Sequence, residues 1–576
     1  MSKLSSRNIN QYLSDASQFV AKGQFIDAET ALKKILDAFP NHPEALSNIA
    51  TIYFMQNKPE EAIVYTKKSL KINPYQSQAL RNCALGLRSL GRLEEALAMS
   101  KEAMKLQSNH LEGYVTTSLI LSEMDKDEEA LFYLNEAIKI INKNSDSTAM
   151  QAMIYNNRAS LLIKQKKFTI ALDDVNQSLT LKSDFIEALQ NKAVILRDLS
   201  QYEKSLQILD ILIQRETNLL GTHFYLKGSI YQRLAKLDLA IESFNSAITH
   251  NFVGWAEAKA AIGWCQLYKQ NFIDGWKNYE YRVFIKTHKL YNKKLEIESW
   301  QQLNKIDSIL LLREQGIGDE IFFCGFLDEL SKKCKDLTVE ADSRLIGMFK
   351  RSFQGIHFIE SASQLSDTNF DKKIPLGSIA QFFRRSVSDF KNTITGYLKI
   401  DPFKVDQLKK NIQFKNKIKI GISWRTRNKD NGNLRTIDFD KFISIFDDQE
   451  ISIINLQYGD VSEEVKLFNK IHRRSEFINH KDIDNFHDMD GLACLIDICD
   501  VVITIGNATN HLAGALGKET WVLLPIYSDF RWFENSADCL WYPNTTLFRQ
   551  ESVESWDPVI DNIKETLQEF MKKKIS

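Results

Sequence analysis

Four stretches of the chain carry residue types whose spacing suits work on anionic or phosphorylated ligands. In LLLREQGIGDEIFF a buried strand ends at Glu314, and Gln315-Gly316-Ile317-Gly318-Asp319 turns into a helix. Gly316 and Gly318 let the backbone of that turn approach a ligand closely, and the helix N-terminus behind it attracts negative charge. Asp319 stands where the turn meets the helix; spacing alone equally suits an acid that complements the helix dipole. In DVVITIGNATNHLAGALGKETWVLLP a strand opens into a helix whose first turn runs Asn507, Ala508, Thr509, Asn510, His511. Such a turn presents amides suited to a diphosphate, or is capped by Asn507 itself; His511 suits either a phosphate or a neighbouring carbonyl. In GISWRTRNKDNGNLRTIDF, Arg425, Arg427 and Lys429 come directly after a strand. Three cations there could balance a diphosphate leaving group, or form a solvated loop. The fourth stretch, DNFHDMDGLACL, holds Asp488-Met489-Asp490; no hydrophobic strand precedes it and it reads as acids that open a helix, so no metal site is expected.

The elements around these motifs are α/β. From about residue 305, short β-branched runs alternate with amphipathic helices, the pattern of parallel sheets with crossover helices. Expected strands are 308–314, 337–341, 356–360, 417–423, 451–457, 500–505 and 520–525, and a closing helix begins near Asp557. A less regular stretch ending in GYLKIDPF divides them into two Rossmann-like halves, 305–400 and 415–576, facing across a cleft at the strands' carboxyl ends.

Residues 1–290 obey another rule. Small residues recur at a 34-residue step, Ala28, Ala62, Ala96 and Ala130, and after an insertion around INKNSDS continue at Ala171, Ser205, Ala240 and Gly275. Another small residue stands twelve positions before each, from Ala16 to Gly263. Small residues in pairs let antiparallel helices approach closely, and the pattern reads as about eight tetratricopeptide repeats stacked into an α superhelix. Asn48, Asn82, Asn157 and Asn191 recur at one repeat position, where amides could clamp an extended peptide or merely belong to the repeat.

Composition narrows the field of functions. Lys plus Arg and Asp plus Glu are both 74 among 576 residues, which argues against nucleic-acid binding by bulk charge. The 7 cysteines show no zinc spacing and read as reduced core thiols, and no leader or membrane span is apparent, so a cytoplasmic location is expected.

Taken in order, FIDGWKNYEYR, LLLREQGIGDEIFF, KKIPLGSIAQFFRR, GISWR, INLQYG, NFHDMDGLACLIDICDVVITI, NHLAGALGKETWVLLP and LWYPNTTLFRQ resemble the bacterial tetratricopeptide-repeat proteins with a heptosyltransferase-like glycosyltransferase domain of the GT-B kind. The repeats are similar to the superhelix of O-GlcNAc transferases, whose asparagine ladder holds substrate polypeptide. The resemblance implies a metal-independent enzyme without cofactor that moves a sugar from a nucleotide-diphosphate donor to a hydroxyl, with a protein acceptor brought by the repeats. It implies Asp319 as base, Gly316 and Gly318 shaping the cleft, and Arg425 and Arg427 on the diphosphate. Asp488 would lie near the ribose, and Asn507, Thr509, Asn510 and His511 under the nucleotide sugar. One departure stands out: Gly506 occupies the place where family members often carry Asp. A non-catalytic repeat scaffold with a degenerate transferase-like domain is the alternative.

Overall fold

The small residues that recur through the first half lie where paired helices touch. Ala28, Ala96, Ala130, Ala171, Ser205 and Ala240 are fully buried, as are their partners Ala50, Ala84, Ala159 and Ala193. The turn inside each pair needs one residue in the left-handed region, supplied by Gly23, Asn57, Gly91, Asp125, Lys166, Ser200, Ala235 and Gln270. These positions keep the sequence period, so the repeat is written in the backbone as well as in the core.

The protein, seen here as a computed structural model, is described at residues 6–141, 148–215, 218–291, 295, 302–303, 305, 307–364, 370–391, 393–426, 432–446, 449–534, 536–552 and 555–575. It divides into two units, Met1–Thr217 and Asn218–Ser576. The first unit is an array of helix pairs from α1 (Ser6–Ala21) to α12 (Tyr202–Gln214). The second begins with two more pairs, α13 (Leu220–Arg233) with α14 (Leu237–Thr249) and α15 (Trp255–Tyr268) with α16 (Phe272–Tyr279).

Those two pairs belong with the α/β region, because their apolar faces are buried against it. Trp276 of α16 donates from its indole nitrogen to the Arg384 carbonyl at 2.7 Å and meets Phe530 edge-on. Phe272 packs on Phe533, and the Tyr268 hydroxyl accepts from Arg549 at 2.8 Å. Gly263 sits at the tightest crossing of α15 and α16: a Cβ there would lie 2.7 Å from the Asn278 carbonyl carbon. Gly263→Ala is therefore expected to destabilise the second unit by about 1–3 kcal/mol through overpacking, read as a lower urea midpoint at unchanged slope.

The α/β region holds two parallel sheets. The first is built from β1 (Ser308–Leu312), then α17 (Ile317–Cys324), α18 (Leu327–Ser331), β2 (Asp336–Glu340), α19 (Ser343–Ser352), β3 (His357–Ile359) and β4 (Lys372–Pro375), in the order β3-β2-β1-β4. After α20 (Pro402–Asn411) the second sheet takes β5 (Ile418–Ser423), α21 (Gly432–Arg435), α22 (Phe439–Ile443), β6 (Ile451–Asn455), α23 (Ser462–Ile471), β7 (Glu476–Ile478), α24 (Met489–Ile498), β8 (Val501–Ile505), α25 (Ala508–Ala515), β9 (Thr520–Leu524) and β10 (Thr545–Arg549). Its order is β10-β9-β8-β5-β6-β7, and α26 (Asp557–Ile575) closes the described chain. The seven expected strands are all present. β4, β7 and β10 are additional; KKIP of β4 and EFI of β7 have too few residues to show a periodic pattern. The seven cysteines are buried and free. Among the described residues no helix is long and apolar enough to cross a membrane.

Candidate functional site

In each sheet the strand order reverses once, between β1 and β4 and between β5 and β8. Crevices at the carboxyl ends of such strands are where open α/β sheets take ligands. Both motif turns lie there. The turn after β1 caps α17: Asp319 accepts from the Gly316 amide at 3.1 Å with one oxygen and pairs with Arg531 at 2.7 Å through the other. Arg531 is also held by Asp529 at 2.9 Å and lies over the rings of Phe322, Phe323 and Phe530. Gly318 brings α17 onto α25; a Cβ there would stand 3.2 Å from the His511 ring and 3.3 Å from the Ala508 Cα.

The turn after β8 is closed on itself. The Asn507 side chain accepts from the amides of Thr509 and Asn510 at 3.0 and 3.4 Å, while the Asn510 side chain accepts from the Asn507 amide at 2.7 Å. The Asn507 side chain also donates to Ser423 Oγ at 2.8 Å, tying the ends of β5 and β8 together. Gln457 Oε1 gathers Ser423 Oγ and the amides of Trp424 and Arg425. An added Cβ at Gly506 would find ordinary contact with Leu524 and Trp532, so packing alone does not require glycine there.

A cavity of about 320 Å³ opens between these turns, lined by Gly316, Ile317, Asn507, Ala508 and Thr509 together with Arg344, Thr426, Tyr458, Asn485 and Phe486. Asn485 donates to the carbonyls of Asn455 and Gln457, and its own side-chain oxygen is buried without a partner among the described residues. A second cavity, of about 570 Å³, is lined by α13, α15, Tyr279, Arg435, Tyr527 and Ser528. The Gln315–Asp319 turn reaches toward both, although Asp319 itself lines neither. Gly316, which caps it, walls the smaller cavity, while Tyr279 on the larger accepts from Gln315 of the same turn at 2.8 Å.

The electrostatics arise from burial. Burial pushes the Asp319 carboxyl above the ordinary aspartate value, with the Arg531 charge opposing it. About 30% of the Asp319 side chain stays open to solvent, so the upward push is partial. Burial drives His511 down to about 3, leaving a neutral imidazole that shares a 3.1 Å hydrogen bond with the Tyr542 hydroxyl and stacks on Trp532. Burial also lifts the Tyr279 phenol to about 12.

Of the residues expected from sequence, Gly316, Asn507 and Thr509 line the smaller cavity and Gly318, Asp319, Asn510 and His511 lie behind it. Arg425 is turned away: its guanidinium pairs with Glu464 and donates to the Asp460 carbonyl. Asp488 caps α24 and pairs with Lys404 at 2.9 Å, off the cavity wall. Arg427 and Lys429 lie outside the described residues. Asn82 is buried, donating to Thr51 and accepting from Gln78, and Asn191 donates to Asn156 and Ser160; Asn48 and Asn157 are half-buried. Among the described residues the cation on the cavity wall is Arg344, which pairs with Asp342 and lies over the Phe486 ring. Sequence reasoning passed over it, although it comes after the β2 strand much as Arg425 comes after β5. It also passed over Arg531, whose one signal is a charge set among the aromatic residues of FRWF. Among the described residues no group of three or more His, Cys, Asp or Glu could hold a metal ion.

Comparison with known proteins bears mainly on the helical part. Residues 43–76 and 224–250 each match the tetratricopeptide repeat. Protein FlbA of Caulobacter vibrioides is 24% identical over 320 residues, 52% of this chain and 52% of that protein, so the chain spans about half the length of this curated relative. The tetratricopeptide repeat protein from Parabacteroides merdae is similar at 16% identity over 45% of this chain and 98% of that one, with a TM-score of 0.35. Pseudomonas aeruginosa PilF is similar at 18% identity over 36% of this chain and 92% of that one, with a TM-score of 0.33. The chain thus carries tetratricopeptide repeats, and a region of parallel sheets follows them in sequence.

Proposed function

We propose that the two sheets are the Rossmann-like halves of a GT-B glycosyltransferase of the heptosyltransferase-like kind. It moves a sugar from a nucleotide-diphosphate donor to a hydroxyl on a protein that the repeats recruit. The donor occupies the 320 Å³ cavity and the acceptor enters from the 570 Å³ cavity. Asp319 takes the acceptor proton in an inverting, metal-independent displacement. The single observation that carries this reading is the Gln315–Asp319 turn, where Gly316 lines one cavity, Gln315 reaches Tyr279 on the other, and the Asp319 carboxylate is held by the Gly316 amide and Arg531. Further support comes from the second sheet, which read outward from β5 has the doubly wound order 3-2-1-4-5-6.

A non-catalytic scaffold is the second reading. The engagement of Arg425 by Glu464, the self-capped Asn507 turn and the absence of a carboxylate at Gly506 favour it. A panel of UDP-, GDP-, ADP- and CMP-sugars separates the two. At about 100 times Kd a bound donor should add about 2.7 kcal/mol of stability, seen as a raised melting temperature, and be turned over. If none binds or is hydrolysed, the enzyme reading falls.

A further inference from the structure

The larger cavity has a chemistry of its own. Trp264 of α15 stacks on Tyr268 at 5.5 Å and meets Tyr527 at 4.5 Å, giving the wall a broad aromatic face. Arg233 and Arg435 also line it, and no Asp or Glu does among the described residues. Arg435 is half-buried and makes no hydrogen bond or ion pair with a described residue. Its charge reaches Asp529: against burial, Arg531 and Arg435 together hold that carboxyl below the usual aspartate range. A guanidinium in this setting offers a planar fork that matches a carboxylate, and the aromatic face beside it offers apolar area at little entropic cost.

We propose that this cavity selects an acidic peptide. Its occupant is a short acceptor segment in which a Glu or Asp next to the accepting Ser or Thr pairs with Arg435, while a neighbouring apolar side chain rests on Trp264 and Tyr527. The word acceptor rests on the transferase reading; the charge preference does not. About 570 Å³ lies within the ordinary range of ligand pockets. Ser528 on the wall adjoins Asp529, which shares Arg531 with Asp319.

The test is fluorescence anisotropy on the full chain with fluorescein-labelled Gly-Glu-Thr-Phe-Gly and its Gln and Lys counterparts at the Glu position. The Glu peptide is expected to bind at least about tenfold tighter than the Gln peptide and the Lys peptide more weakly than either, with the preference shrinking as salt rises. Arg435→Gln should erase the preference, and Arg435→Lys, which keeps the charge without the fork, should retain part of it. Equal affinities for the Glu and Gln peptides, or a preference that survives Arg435→Gln, would overturn the proposal. A preference that Arg435→Gln removes, in a protein that transfers no sugar, keeps the acidic selectivity and sinks the transferase. Equal transfer to Glu and Gln peptides does the reverse.

Discussion

Asp319→Asn is expected to lower the rate of sugar transfer by about 10²–10⁴-fold while leaving donor affinity unchanged. The substitution keeps the shape of the side chain and an oxygen able to accept from the Gly316 amide, so the cap of α17 survives. It removes the carboxylate proposed to take a proton from the acceptor. Arg531 retains its second carboxylate, Asp529, so the fold should lose at most about 1–3 kcal/mol, as expected for one weakened buried partner. The pH dependence supplies a sharper criterion. Because burial raises the Asp319 carboxyl, the ionised base is lost at a higher pH than for an ordinary aspartate. The acid limb of kcat/KM should therefore lie above the usual aspartate value and vanish in the variant. His511, kept neutral by a value of about 3, contributes no step between pH 5 and pH 8. A variant that turns over like the parent would remove Asp319 from the mechanism, whichever donor is used.

What could be read in the sequence and what could not divide along chain distance. The strand–turn–helix pattern at Gly316–Asp319 and the cap at Asn507 are local, and so is the alternation that marks β1, β5 and β8. The repeats are legible because the same small residue must recur wherever two helices cross, and burial at Ala28, Ala96 and Ala130 obeys that rule. The pairings that orient the site are not local. Asp319 meets Arg531 across 212 residues and Arg344 meets the Phe486 carbonyl across 142. No periodicity foretells which of several arginines will fill such a place. Arg425 shows the converse: its position after β5 suits a phosphate, yet Glu464, 39 residues on, takes it. The division of the chain after Thr217 has the same origin, since the aromatic residues that bind the last two helix pairs to the sheets, Phe272 and Trp276, find their partners beyond residue 380.

The second large effect concerns the joint between those helix pairs and the first sheet. Arg282→Met is expected to destabilise the second unit by about 3–5 kcal/mol, the usual consequence of leaving a buried charge without its partner. Arg282 lies just past α16 and donates to Glu314 at 2.7 and 3.0 Å, to Glu280 at 3.0 Å and to Ser378 at 2.9 Å, all of them buried. His288 shares a 3.0 Å hydrogen bond with Glu314 from the far side. Burial alone would push Glu314 up; the Arg282 charge and the His288 hydrogen bond outweigh it and bring the carboxyl down to about 2. These opposing pushes set the sign of the pH effect. In the parent the unfolded chain takes up this proton near the ordinary glutamate value, while the folded chain resists until about 2. The stability Glu314 contributes is therefore present above the ordinary value and lost as pH falls through that interval. In the variant the opposing charge is gone, burial dominates, and folded Glu314 binds its proton first. Acid should then relieve the variant, and the gap between the two urea midpoints should narrow from pH 7 to pH 4. Arg282→Met combined with Glu314→Gln should recover part of the loss at pH 7, because the uncompensated charge at β1 is then removed as well. A gap that is the same at both pH values, or a double variant no more stable than the single one, would show that Arg282 acts by packing rather than as the counter-ion of the strand end beside the Asp319 turn.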